Sequence, residues 1–334
     1  MKTMLLRAPG GLDNLHLVDQ ADPGQPGPGE IRVRVHATSL NFHDYLVAKT
    51  PGRAAGELVP MADAGGVVEA VGEGVTQFQA GDHVVSCFFP DWQEGGPTAG
   101  DFKRVPGDGL DGYARECVLT PATWFTKAPS GYTHAEAATL TTAGLTAWRA
   151  LVVDGNLKAG DVVLALGTGG VSIFALQYAK AMGATVVVTS SSDEKLERAK
   201  ALGADHVVNY RSTPEWGKAI RKWADGGVDH VIEVGGPRTL GQSIQACRVG
   251  AHIALIGVLT GAAGDVPTAV LMARQVKLQG LIVGSRRHQQ DLVRAIDAMQ
   301  TKPVIDRTFA LDELADAFRY QESGQHFGKI CVAW

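Results

Sequence analysis

Apolar and polar residues alternate most cleanly in Ile31-Arg-Val-Arg-Val-His-Ala37, where Ile31, Val33 and Val35 fall on one face and Arg32, Arg34 and His36 on the other. A period of two predicts a strand with one buried and one wet face. Shorter runs at 2–7, 15–19, 65–71, 82–87 and 112–118 predict further strands, parted by glycine turns such as Gly72-Glu-Gly74. The segment Pro23-Gly-Gln-Pro-Gly-Pro-Gly29 excludes helix and central strand, and Ser39 to Tyr45 reads as a connecting loop. Pro90 to Gly109, rich in Gly, Pro and Asp, reads as a long surface lobe.

Beyond residue 122 the period changes. The apolar run Val162 to Leu166 predicts a buried parallel strand, the glycines at 167, 169 and 170 a tight turn, and Val171, Phe174, Ala175, Tyr178, Ala179 and Met182 the inner face of a helix. Ser172, Gln177 and Lys180 are expected on its outer face. Strands at 184–189, 206–209, 228–234, 250–257 and 276–283 then alternate with helices at 193–202, 214–223, 238–248 and 289–299. This succession predicts an α/β doubly wound parallel sheet with ligands at the carboxyl ends of its strands. The tail ends in a strand, Lys329 to Ala333, assigned to the β-rich part.

Composition narrows the partners. With 334 residues, 45% of them hydrophobic, the chain has material for two domains. A net charge of −4 without a basic run argues against nucleic acid, no apolar stretch is long enough to span a membrane, and Arg7 and Pro9 interrupt any signal-peptide core, so a cytoplasmic location is the default. Cys87, Cys117, Cys247 and Cys331 lack Cys-x-x-Cys spacing, which predicts buried reduced thiols.

The strand, glycine turn and helix over Asp161 to Ser172 carry the strongest chemical signal. A helix N-terminus offers free N–H groups and about half a positive charge, and the missing Cβ atoms of Gly167, Gly169 and Gly170 let a pyrophosphate approach the backbone of the segment Gly167, Thr168, Gly169, Gly170 and Val171. Ser172 stands where the dinucleotide fingerprint has its third glycine.

Asn41-Phe-His-Asp44, Asp63-Ala-Gly-Gly-Val-Val-Glu-Ala-Val-Gly72, Gly167-Thr-Gly-Gly-Val-Ser172 and Gly328-Lys-Ile330 together resemble the medium-chain dehydrogenase/reductase superfamily, over nearly the whole chain. The resemblance implies a Rossmann dinucleotide-binding domain over 123–303 and a β-rich GroES-like substrate domain from 1–122 and 304–334. Within the superfamily the chain is most similar to the zinc-free, quinone-oxidoreductase-like branch. Where zinc alcohol dehydrogenases carry Cys, His-Glu and Cys, this chain has Asn41, Ala62-Asp63 and Thr142, a set poor in the thiolate and imidazole that zinc selects. No metal is therefore expected.

NADPH is expected over NADH. The second strand ends in Thr189-Ser-Ser-Ser192 rather than in the carboxylate that accepts from ribose hydroxyls about 20 residues past the first glycine. Ser190, Ser191, Lys195, Tyr210 and Arg211 form a set that the resemblance implies for the 2′-phosphate; an alternative is that Ser191 only caps the next helix. The same resemblance implies cofactor contacts from Thr142, Thr146, Ile256, Gly257, Val258, Gly284, Ser285 and Lys329.

The activity implied is hydride transfer from NADPH to a quinone or an α,β-unsaturated carbonyl, a small-molecule substrate. Asn41 is expected to bind its oxygen, Tyr45 to donate a proton and Asp44 to brace the loop. Alternatives are a zinc-type alcohol dehydrogenase and a non-catalytic NADPH-binding protein. The apolar segment Val276 to Val283 suggests edge-to-edge pairing in a homodimer.

Overall fold

The computed structural model describes residues 1–50, 56–98 and 100–334. Two compact units divide it, Met1–Leu145 with Val283–Trp334, and Thr146–Ile282.

The first unit is built around the strand Glu30–Ser39, in which Ile31, Val33 and Val35 are buried. The expected wet face is partly covered. Arg32 is buried because its guanidinium meets Asp22 and Glu69, so ion pairs replace the water that alternation suggested. Gly65–Val71 and Cys117–Pro121 pair antiparallel with this strand, and His83–Ser86 and Phe125–Lys127 extend the sheet. Residues 112–116, expected to be strand, are irregular apart from an isolated bridge of Arg115 to Thr3, and regular ladder pairing begins at Cys117. On the other side Lys329–Ala333 pairs antiparallel, placing Cys331 opposite Ser39, and Ile305–Phe309 pairs parallel with it. The chain end is thereby brought beside the residues that lead into Asn41.

The loop expected after Ser39 is instead a helix, Phe42–Lys49. Short-range signs were hidden because Asp44 acts as a cap: its carboxylate accepts the backbone N–H of Asn41 at 3.0 Å. Among the described residues the lobe after Pro90 forms no helix or strand, and it is anchored by buried Phe88, Phe89, Trp92 and Val105.

The second unit holds a six-stranded sheet, all parallel, in the order His206–Asn209, Thr185–Ser190, Val162–Leu166, Val228–Glu233, Cys247–Leu255, Lys277–Gly280. Numbered along the chain this is 3-2-1-4-5-6, whose switch point falls between Val162–Leu166 and Val228–Glu233. Lys277–Gly280 is an edge strand. The helix Gly170–Ala181 buries Phe174, Ala175, Tyr178 and Ala179 as expected, and also Ser172, Ile173 and Leu176. Ser172 was expected to face outward; its hydroxyl instead donates to the Leu166 carbonyl at 2.6 Å, which satisfies it inside the sheet contact. All four cysteines are free and buried, and burial pushes the thiols of Cys87, Cys247 and Cys331 up to about 12, so they remain protonated and inert.

Candidate active site

In the first unit a buried polar cluster forms where the helix Phe42–Lys49, the Ala62-Asp63 segment and the strand Lys329–Ala333 meet. Asp63 is fully buried and accepts from the Ser39 hydroxyl at 2.5 Å and the Thr142 hydroxyl at 2.6 Å. The Lys329 ammonium lies 3.8 Å from its carboxylate and donates to the Leu40 carbonyl and to Asn41 Oδ1, both at 2.6 Å. Burial pushes the Asp63 carboxyl up, to about 6; Lys329 opposes that rise and the Asp44 charge adds to it. Lysine is tolerated here because three acceptors surround its charge.

The roles expected for Asn41 and Tyr45 meet this geometry differently. The Asn41 amide group donates to Asp44 Oδ2 at 3.0 Å and to the Ser39 carbonyl at 3.3 Å, while its oxygen accepts from Lys329. Reversing the amide would point its NH2 at an ammonium, so this orientation is chemically fixed. Both protons meant for a substrate oxygen are thus already engaged, and Asn41 organises the cluster. Tyr45 is turned away. Its ring packs on Phe318, and its hydroxyl donates to Glu322 at 2.7 Å and accepts from Lys49. A side chain expected on the same loop as Asn41 leaves along the helix toward a surface carboxylate. Asp44 holds the Asn41 backbone and side chain and accepts the Ala62 N–H at 3.1 Å. Ser285, expected near a cofactor, is buried and caps the helix Arg286–Met299; Gly284 precedes it and packs on Leu145.

In the second unit the carboxyl ends of the strands gather the other expected residues. Gly167 has φ of 73°, and a Cβ on Gly167 or Gly169 would meet nothing within 4 Å, so the turn before the helix Gly170–Ala181 is open to a ligand. Strand register sets Ser190 beside Asn209, which puts Ser190 and Ser191 next to Tyr210 and Arg211. Ser192, not Ser191, caps the helix Asp193–Ala201 by accepting the Lys195 N–H at 3.3 Å. Asp193, a carboxylate that could repel a phosphate here, is tied to the Asn209 amide at 2.7 Å. Thr146 is buried, and Ile256 and Gly257 donate their N–H groups to the Glu233 carbonyl at 2.8 and 3.2 Å. A Cβ on Gly257 would lie 2.2 Å from the Val234 carbonyl oxygen, so only glycine fits there.

Sequence reasoning missed Glu233. Its buried carboxylate accepts from the N–H groups of Gly235 and Gly236 at 2.8 and 2.9 Å and from the hydroxyls of Thr239 and Ser243 at 2.6 and 2.5 Å. It sets the turn at the sheet's switch point. The available signal was an acidic residue inside the apolar run Val231-Ile-Glu-Val234 followed by two glycines. Among the described residues no group of three or more His, Cys, Asp or Glu is arranged to hold a metal ion.

Comparison with known proteins agrees with this architecture. Residues 27–130 match the alcohol dehydrogenase GroES-like domain and residues 170–301 the zinc-binding dehydrogenase family. A zinc-type alcohol dehydrogenase-like protein of Schizosaccharomyces pombe is 40% identical over 332 residues, 96% of either chain. The crystal structure of a putative alcohol dehydrogenase from Sinorhizobium meliloti 1021 superposes with a TM-score of 0.91 at 42% identity, covering both chains completely. The crotonyl-CoA carboxylase/reductase AntE in complex with NADP gives 0.86 at 25% identity, covering 100% of this chain and 94% of that one. The chain therefore belongs to the medium-chain dehydrogenase/reductase superfamily. It is an NAD(P)-dependent oxidoreductase.

Proposed function

We propose that this enzyme is an NADPH-dependent reductase of quinones or α,β-unsaturated carbonyls that works without a catalytic metal. The observation that carries the reading is the Lys329 ammonium, which already occupies Asn41 Oδ1 and neighbours Asp63. A zinc ion drawing on Asn41, Asp63 and Thr142 would have one anionic ligand, no thiolate or imidazole, and a fixed positive charge beside it. The set does not suit zinc, although relatives bear zinc-type names. Conjugated acceptors fit a metal-free site because they spread the charge left by hydride over several atoms.

The second unit supports NADPH. Gly167, Thr168, Gly169, Gly170 and Val171 would hold the pyrophosphate, Thr146, Ile256, Gly257 and Val258 the nicotinamide end, and Ser190, Ser191, Lys195, Tyr210 and Arg211 the 2′-phosphate. Bound there, the cofactor supplies a hydride. NADP in a relative's complex and the engagement of Asp193 by Asn209 favour the phosphorylated form. The exposed edge of Lys277–Gly280 suits pairing with a second copy as a homodimer, which sedimentation would test.

The experiment is metal analysis with an acceptor panel. Purified enzyme should hold far less than one zinc per chain and oxidise NADPH with quinones or enones after chelation. Stoichiometric zinc with chelator-sensitive turnover refutes the reading.

A further inference from the structure

Two residues past Asn41, His43 forms a pair that none of the roles above uses. Its Nε2 lies 2.9 Å from Asp108 Oδ2, and the two side chains are 16% and 11% exposed. Phe88 meets the ring edge-on at 5.5 Å and Phe102 lies tilted at 4.7 Å, so the imidazole sits between aromatic walls of the lobe. Its other nitrogen, Nδ1, is buried and has no hydrogen-bond partner among the described residues. With the carboxylate taking the Nε2 proton, Nδ1 is the position left to exchange a proton with a ligand.

Asp108 is held firmly. Its N–H donates to the Val105 carbonyl at 3.2 Å, and the flanking Gly107 packs so closely on Met61 that a Cβ would come within 2.6 Å of the Met61 nitrogen. Met61 has a φ of 80°, a strained value for a residue with a side chain, and leads directly into Ala62-Asp63. One rigid backbone junction thus carries both Asp108 and Asp63, while one helix start carries both His43 and Asn41. Pinning the lobe would need a single ring nitrogen. Burying the second without a partner leaves a desolvated polar atom unsatisfied, a cost that a purely structural ring in the same aromatic slot would not need to carry. The second unit contains a similar pair, His230 with Asp161 at 3.0 Å, but it lies toward the amino ends of the strands, opposite the edge where such sheets bind ligands.

We propose that His43 is a catalytic acid, handing the Nδ1 proton to the oxygen of the acceptor, and that Asp108 is the positioning residue that orients the imidazole. This rests on the carbonyl or quinone reading above. As hydride forms a C–H bond at the electrophilic carbon, the π pair moves to oxygen; the Nδ1–H bond breaks, an O–H bond forms, and neutral imidazole remains on Asp108 until solvent returns a proton. A quinone yields the keto tautomer of its hydroquinone, which becomes aromatic as one proton leaves the sp3 ring carbon to water and the second carbonyl oxygen is protonated; an enone yields an enol that becomes the ketone in water.

The test compares wild type with His43→Gln, His43→Ala and Asp108→Asn, using NADPH with a quinone and an enone, and p-nitrophenol as a non-reacting oxyanion probe. In His43→Gln kcat should fall about a hundredfold with KM and NADPH affinity nearly unchanged. Added imidazole should restore His43→Ala saturably, and p-nitrophenol should bind His43→Gln about tenfold more weakly. Asp108→Asn should lower kcat less and shift the imidazole tautomer seen by nitrogen-15 NMR. Near-wild-type kcat in folded His43→Gln overturns the proposal and leaves the reductase reading standing. If wild type reduces neither acceptor, the reading itself fails, and equal p-nitrophenol affinity in wild type and His43→Gln then overturns the role of His43 as well.

Discussion

Asp63→Asn isolates the electrostatics of the buried cluster. In the folded protein the carboxyl is raised to about 6 by burial, with Lys329 opposing and Asp44 adding, against 3.8 in the unfolded chain. Below both values it is protonated in either state and carries no penalty. Between roughly pH 4 and 6 the unfolded chain releases this proton while the folded one retains it, so stability falls as pH rises; above that window the loss is complete. A shift of about two units at 1.36 kcal/mol each amounts to about 3 kcal/mol. Asparagine mimics the neutral acid, keeping a carbonyl near the hydroxyls of Ser39 and Thr142. The variant should therefore sit near wild type at pH 4 and gain about 3 kcal/mol relative to it by pH 7. Urea unfolding read through amide exchange of the strand Glu30–Ser39 reports this unit alone. Parallel stability profiles for wild type and variant across the window would refute the reasoning.

Other perturbations separate cluster, cap and cofactor. Lys329→Met removes the cation beside buried Asp63 and the donor to Asn41 Oδ1 and should destabilise the first unit by about 3–5 kcal/mol, seen in the same urea assay. Tyr45→Phe removes bonds to Glu322 and Lys49 at the surface end of the helix, so it should cost about 1 kcal/mol in that assay and leave kcat for an enone unchanged. Ser192→Ala should lower stability by about 1 kcal/mol through the lost cap without altering the NADPH to NADH preference. Lys195→Ala should weaken NADPH by about ten- to a hundredfold in fluorescence titration and barely affect NADH.

Legibility in the sequence tracked the range of the interactions. The parallel sheet and its glycine turn could be read because the apolar run Val162–Leu166 and the helix after it are local patterns. Lys329 and Asn41 could not be paired, since 288 residues separate them and only the antiparallel strand contact of Cys331 with Ser39 brings them together. The helix at Phe42 was obscured because His43, Asp44 and Tyr45 give it no clean apolar stripe; its register is set by the Asp44 cap and by Tyr45 packing on Phe318. The pairing of His43 with Asp108 was hidden for a related reason. The carboxylate lies 65 residues away in a lobe whose composition suggests only loop.

On the reading proposed above, Lys329 stands in place of a metal, and that changes what the site can ask of its substrate. Zinc polarises a carbonyl directly, so even a simple aldehyde becomes electrophilic enough to take hydride. An ammonium whose protons already serve Leu40 and Asn41 offers no comparable pull, and Asp63 beside it brings negative charge as pH rises past about 6. Activation must then come from the acceptor's own conjugation and from a proton delivered as charge reaches oxygen. On that reading the demand favours quinones and enones over isolated aldehydes, and a positioned acid such as His43 is worth more than it would be beside a Lewis acid, because it neutralises the developing oxyanion directly.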